Sequence, residues 1–367
     1  MAEKTTKNQG YDFLILIPAL LLVALGLVIV YSASSNLAAH RLGDSYFYLK
    51  RQTVFCMLGI SLMICAKNIP CIIYSKIAYP LLIVSLFLLI LLFFSGLGHE
   101  VSGACRWLRF GDLTFQPSEI AKFSLAVYIA YSMSKKGSNM ESFTKGLLPH
   151  LLVAGIFMSL IVNQPDLGTA VIIGCWVFIL MFVGGVKIIH LLLLFILSIP
   201  LVLWLIWQAS YRIDRCLAFI NPWKDPTGIG FQIVHSFLAF GSGGLWGLGL
   251  GNSKQKLFYL PEPHTDFALS IAGEEMGFLG ITFIIMLFGV LVIRGIKVAL
   301  NARDLYSTYL AFGLICFIAL QVIVNMGVVM GLLPTKGLAL PFISYGGTSL
   351  VMNLICIGIL LNISSKT

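Results

Sequence analysis

Three stretches of this chain hold the residue types that could do chemistry. The first, "LPEPHTDFALSIAGEEMGFLG" from Leu260 to Gly280, carries Glu262, His264, Asp266, Glu274 and Glu275 directly ahead of the apolar run "ITFIIMLFGVLVI". A carboxylate held beside a hydroxyl can take its proton as general base. The second, "RWLRFGDLTFQPSEIAKF" from Arg106 to Phe123, sets Arg106, Trp107 and Arg109 ahead of Glu119 and Lys122. Guanidinium groups match phosphate oxygens in pairs, Trp anchors at a membrane interface, and Glu119 and Lys122 are spaced to pair along one helix face. The third, "GLLPTKGLALPFISYGGTSL" from Gly331 to Leu350, offers one charge, Lys336, and the hydroxyl of Ser344 among two prolines and a Gly-Gly pair. A lipid diphosphate is one ligand that would use the cations of the second stretch.

Each stretch also has a plainer reading. Asp266 could simply cap a helix N-terminus, where the dipole favours anions. Glu119 and Lys122 could be a local ion pair that lets a lysine enter an apolar helix. The third stretch could be a re-entrant hairpin, tolerated where protein or water covers its backbone. Glu274 and Glu275 fit capping poorly, because they lie two to three turns into the helix, where ionisable groups are costly and face a protein interior or wet cavity. A helix beginning near Asp266 puts Ser270, Gly273, Glu274, Gly277 and Gly280 on its side and Glu275 opposite. Asp266 therefore heads a stripe of small and polar residues, the kind that lets membrane helices approach closely.

The elements that must carry these residues follow from composition. Of 367 residues 59% are hydrophobic and 11% charged, against about 25% charged in soluble domains. The fold class expected is all-α, a polytopic integral membrane protein in a single domain over residues 1–367. Spans of about 20 apolar residues fall near 12–32, 52–68, 74–95, 119–133, 147–163, 169–185, 189–207, 267–294, 308–331 and 345–363. Ten spans put both termini on one side. Basic residues tie at twelve per side, but one set sits in short linkers near span ends and five of the other set lie in one long loop, which translocates largely regardless of charge. Both termini are therefore expected in the cytoplasm, and the loops 96–118, 208–266 and 332–344 outside. The loop between helices 7 and 8, about 208–266, is long enough to be functional.

Other classes find no support. A net charge of +9 follows from basic residues flanking spans, and no run of five basic residues suggests nucleic acid. Six of the eight cysteines sit in or beside apolar runs as small hydrophobes. Cys105 and Cys216 fall in external loops and could pair. No zinc spacing, no dinucleotide, P-loop or serine-hydrolase signature, and no cleavable signal is present. Asn163, Gln321, Asn325 and Asn353 read as interhelical hydrogen-bonding residues. His150, His190 and His235 stand alone without a role. The segment "NQPDLGTA" reads as turn chemistry set by Pro165 and Gly168, with Asp166 at an external turn.

Taken together and in this order, the three stretches, with "NQPDLGTA" and "GNSKQKLFYLPEPHTDFALSIAGEEMGFLG", resemble the SEDS family (shape, elongation, division and sporulation proteins) over nearly the whole chain. "LLPTKG" and "GDSYFYLKRQ" at Gly43–Gln52 are similar to its FtsW and SpoVE branch more than to RodA. The resemblance implies a peptidoglycan glycosyltransferase polymerising lipid II at the outer face of the bacterial cytoplasmic membrane, with a role in septal wall synthesis in cell division. It implies a class B penicillin-binding protein and other division proteins as partners. The family's essential aspartate falls on Asp266, and the Glu and Lys of "QPSExxK" on Glu119 and Lys122. The sequence departs from the family at "EPHTDFALS", where "EAHTDFIFA" is common, which touches neighbours of Asp266 only. On this reading Arg106, Trp107, Glu119, Lys122, His264, Glu274, Lys336 and Ser344 bind substrate. Whether Asp266 abstracts a proton or holds a divalent cation (Mg or Mn) is open at this stage. The competing class is transport, a lipid II flippase or a carrier of another lipid-linked substrate, which also uses polar residues and broken helices. A pure scaffold for division proteins is the third.

Overall fold

The structure, a computed structural model, describes residues 10–94, 98–101, 104–110, 113–256 and 263–366. Thirteen α-helices are present among them: α1 Phe13–Leu42, α2 Phe47–Asn68, α3 Cys71–Lys76, α4 Ala78–Phe94, α5 Pro117–Lys136, α6 Leu148–Asn163, α7 Leu167–Val183, α8 Ile188–Trp207, α9 Ser210–Ile220, α10 Phe231–Gly243, α11 Ala268–Leu300, α12 Leu305–Val329 and α13 Gly347–Ser364. Each of the ten segments expected to span overlaps one of them. Seven are long and apolar enough to cross a membrane, and α4 and α7 are shorter apolar helices. Helix α5 reaches 20 residues, longer than expected, because Pro117 fits its first turn without needing an N–H partner and the acidic Glu119 suits the dipole there.

Helix α13 is the centre of the bundle. Nearly all of its residues are buried, and it packs most extensively on α2. Helix α8 is the opposite case: only Leu191 is buried, so its apolar surface faces outward. Between α7 and α12 the buried indole of Trp176 donates to the Gly313 carbonyl at 2.8 Å, which satisfies the one polar atom of a large core side chain.

The ends of the bundle are chemically distinct. At one end Asp12 caps α1, pairs with Arg294 at 2.7 Å and donates its backbone N–H to Ser364 Oγ at the end of α13, while Lys67 at the end of α2 lies over the neighbouring Tyr11 ring. At the other end lie the N-termini of α5, α7, α11 and α13. Gln116 there donates its backbone N–H to Thr348 Oγ1, which joins the starts of α5 and α13. Asn325 lies about 31 Å along α12 from its Asp304 cap, at 1.5 Å per residue. That is about the thickness of a hydrocarbon core.

The loops hold more structure than hydropathy reveals. Gly98–Val101, Ala104–Phe110 and Leu113–Phe115 form three antiparallel strands, β1 to β3, in the order β1-β2-β3. The segment 208–266 contains α9 and α10. Gly277 breaks α11: its φ of 65° and ψ of −167° leave the helical region, a conformation that glycine adopts without steric cost. The broken turn exposes backbone groups that must be paired. The segment after α10 pairs them. Leu248 and Gly249 donate to the Glu274 and Glu275 carbonyls at 2.9 and 3.0 Å, and Phe278 and Leu279 donate to those of Gly244 and Leu245.

Candidate active site

Asp266 stands two residues before α11. Its backbone carbonyl accepts from Asn325 Nδ2 at 3.1 Å, and the same amide donates to the Leu338 carbonyl at 2.6 Å. One buried side chain of α12 thus fixes both Asp266 and the irregular segment that carries Lys336. The two stretches touch directly: a Cβ added to Gly337 would stand 3.0 Å from Asp266 Oδ2. Asn325, read from sequence as a hydrogen-bonding residue, does that work on the backbone of the candidate catalytic residue.

Lys336 is half-buried. Its Nζ lies 3.4 Å from Thr169 Oγ1. Burial of the ammonium pulls its pKa down to about 7. The Asp166 carboxylate opposes that fall, Lys122 and Arg106 add to it, and Glu119 opposes it. Asp166 is itself 7% exposed and caps α7, accepting from the Thr169 backbone N–H at 3.1 Å and from its hydroxyl at 2.7 Å. Burial raises the Asp166 pKa, but Lys336, Arg106 and the Thr169 donors outweigh it and hold the carboxyl below its ordinary value. Arg106 donates Nε to the Gln164 carbonyl at 3.1 Å and Nη2 to that of Pro165. Its guanidinium therefore braces the turn that carries Asp166.

Glu119 and Lys122 pair at 2.6 Å along α5, both nearly buried, with the ammonium 5.1 Å from the Phe317 ring. A small cavity of about 20 Å³ beside them is lined by Phe123, Phe317, Met352 and Cys356 among others. His264 is 4% exposed and its ring packs tilted at 4.3 Å against Tyr48, with Tyr345 at 5.5 Å. Burial pushes its pKa down to about 4, with Arg41 adding to the fall, so the ring is neutral at pH 7. Its carbonyl accepts from the Tyr345 N–H at 2.9 Å. Trp107 pairs with His99 across β1 and β2 and is half-buried.

Two predicted substrate contacts are taken up by the protein itself. Glu274, fully buried, accepts from Ser253 Oγ, from the backbone N–H groups of Lys254 and Gln255 at 3.0 and 3.2 Å, and from Ser242 Oγ. Glu275 accepts from Ser32 Oγ and from the Ser253 N–H, and pairs with Lys256 at 3.0 Å. The opposition expected between them is corrected here. The segment 253–256 crosses both side chains and supplies donors to each. Ser344 Oγ accepts from the Leu340 N–H at 2.9 Å and so closes its own turn. Glu262 and the Cys105 side chain lie outside the described residues, so the expected Cys105 and Cys216 contact does too.

Among the described residues no three His, Cys, Asp or Glu side chains gather to hold a metal ion. The described residues therefore do not offer Asp266 the further donors of a protein-built divalent cation site. What sequence reading missed is Asp166. Its signal was an Asp three residues before a Thr at a helix start, a capping pattern, but only the fold sets that cap against Lys336.

A polytopic helical bundle with its charges converging at one end, around a carboxylate and a half-buried lysine, is a membrane protein with an interfacial polar site. Residues 12–367 match the family FtsW/RodA/SpoVE, described as "Cell cycle protein", and the chain belongs to it. It is 46% identical to the probable peptidoglycan glycosyltransferase FtsW of Geobacter metallireducens, over 98% of this chain and 96% of that one. It is 42% identical to the stage V sporulation protein E of Bacillus subtilis, over 98% of each. Among solved structures, a chain from work on structural coordination of polymerization and crosslinking by a peptidoglycan synthase complex superposes with a TM-score of 0.78 at 31% identity, covering 97% of this chain and 98% of that one. The rod shape determining protein RodA of Thermus thermophilus does so at 0.71 and 29%, covering 96% of each.

Proposed function

We propose that this chain is a peptidoglycan glycosyltransferase that polymerises lipid II at the outer face of the bacterial cytoplasmic membrane. The observation that carries the reading is the meeting of Asp266 with the Lys336–Gly337 segment at the end of the bundle that also holds Asp166, Arg106 and the Glu119–Lys122 pair. The names and the complex of its relatives support it. Asp266 takes the proton of the acceptor sugar hydroxyl. The oxygen so freed attacks the anomeric carbon of the donor, and the bond from that carbon to the lipid diphosphate breaks. The electron pair leaves with the diphosphate, whose charge Lys336 meets. The proton on Asp266 then passes to solvent. The neutral His264 ring, packed between tyrosines, serves as a wall of the site rather than as a charge.

The ten helices that overlap the predicted spans, α1, α2, α4 to α8 and α11 to α13, cross the membrane in this reading. Both termini stand in the cytoplasm and α9, α10 and the strands outside. A class B penicillin-binding protein supplies the crosslinking partner, with other division proteins around it. The test is the purified chain in detergent with lipid II, with and without that partner. Glycan chains longer than the substrate are expected, most with the partner present. A folded preparation that makes none, yet moves lipid II across vesicle bilayers, would establish transport instead.

A further inference from the structure

We propose that Asp166, acting through Thr169, is the positioning residue for the Lys336 ammonium. The inference rests on the reading above, in which Lys336 meets the departing diphosphate. Its geometry is independent of that reading. The Thr169 hydroxyl spends its hydrogen on Asp166 Oδ2 at 2.7 Å and so presents a lone pair to Lys336 Nζ at 3.4 Å. The side chain has a track to lie in: a Cβ at Gly168 would collide with Lys336 Cδ and Cε. The turn beneath is braced from its far side by Arg106 on the Gln164 and Pro165 carbonyls. Three pieces of the chain far apart in sequence, at Arg106, 164–169 and Lys336, thus serve to set one ammonium.

The arrangement does more than hold. The charged groups that act on Lys336 are Asp166, Lys122, Arg106 and Glu119. Two are cations, and Glu119 is already paired with Lys122 at 2.6 Å. Among these groups Asp166 is the carboxylate that favours the charged lysine most. Its loss lets the buried ammonium shed its proton at lower pH. The cap need not fall with it, because an asparagine still offers an oxygen to the Thr169 N–H.

The experiment is the pH dependence of lipid II polymerisation by the full chain with its partner. In Asp166→Asn the alkaline limb should move to lower pH by about one unit or more. Activity is then lost several-fold at pH 8 and largely kept at pH 6. Adding Lys336→Arg, whose guanidinium stays charged, should flatten that limb. Thr169→Val, which keeps the shape and removes the hydroxyl, should reduce activity in the same pH-dependent way, more weakly. An equal loss at every pH in both Asp166→Asn and Thr169→Val would reduce Asp166 to a helix cap and overturn the proposal. Full activity in Lys336→Met would instead remove the role of Lys336 on which it rests, and an unchanged pH profile beside an inactive Lys336→Met would sink the Asp166 inference alone.

Discussion

At the scale of single residues, the same chemical type does different work according to what covers it. Asp266, Asp166, Glu274 and Glu275 are all acidic. Asp266 keeps contact with an irregular segment that carries a lysine. Glu274 is consumed by four donors and Glu275 by a lysine, a hydroxyl and an N–H. Sequence pattern singled out Asp266 by its place ahead of an apolar run. It could not separate the glutamates, because their donors come from residues 19 to 32 positions away and from Ser32 in α1. His264 offers a prediction at this scale. Burial lowers its pKa from 6.5 to about 4. The unfolded chain therefore binds a proton that the folded chain refuses as pH falls from about 6.5 toward 4, and the stability present above that window is lost through it. His264→Phe keeps a ring packed against Tyr48 and cannot titrate. The drop in melting temperature between pH 7.5 and pH 5 should be smaller in that variant than in the parent protein. An equal drop would show that the ring is protonated in the fold.

At the scale of elements, α11 is the least regular and the most informative. Hydropathy predicted it as one span beginning at 267, and its start and apolar body are where that reading places them. The break at Gly277 was not legible, since one glycine in an apolar helix is common and only the pairing of 244–249 with 274–279 requires the φ of 65°. The three strands were missed for the same reason: they are short and their register is set by each other. Below the break, Lys256 and Glu275 form an ion pair with side chains 5% and 1% exposed. Breaking one partner of such a pair leaves a buried charge and costs about 3–5 kcal/mol, whereas removing both is far milder. Glu275→Gln should therefore destabilise strongly, and Glu275→Gln with Lys256→Met should recover most of the loss, because Gln still accepts from Ser32 and Ser253. Thermal melts of the parent, the Glu275→Gln and Lys256→Met single variants and the double variant in detergent measure this. A double variant no better than the single would mean that the pair is not coupled.

At the scale of the whole molecule, the bundle separates its charges by end. Asp12, Arg294, Lys67 and Asp304 mark one end, and Asp266, Lys336, Asp166, Arg106 and Glu119 the other, about 31 Å away along α12. The apolar helices themselves were legible because a bilayer demands long apolar runs. The convergence of the site was not, because it needs the distances between helices. The proposed sidedness puts the loop between α8 and α11 outside. Thr227, exposed near the tip of that loop, provides a probe. In a cysteine-free background, Thr227→Cys should react with an impermeant thiol reagent on intact spheroplasts. Reaction only after permeabilisation would invert the proposed topology.

The central claim is that Asp266 is the base of a polymerisation reaction, and one measurement bears on it most directly. It is the rate of lipid II polymerisation by Asp266→Asn in detergent, where transport across a bilayer has no meaning, with its partner bound and its melting temperature checked in parallel. Asparagine keeps the shape, so the protein should fold and bind its partner. Removing the base should lower the rate by about a hundredfold or more. Chain synthesis near the parental rate by folded Asp266→Asn protein would contradict the account.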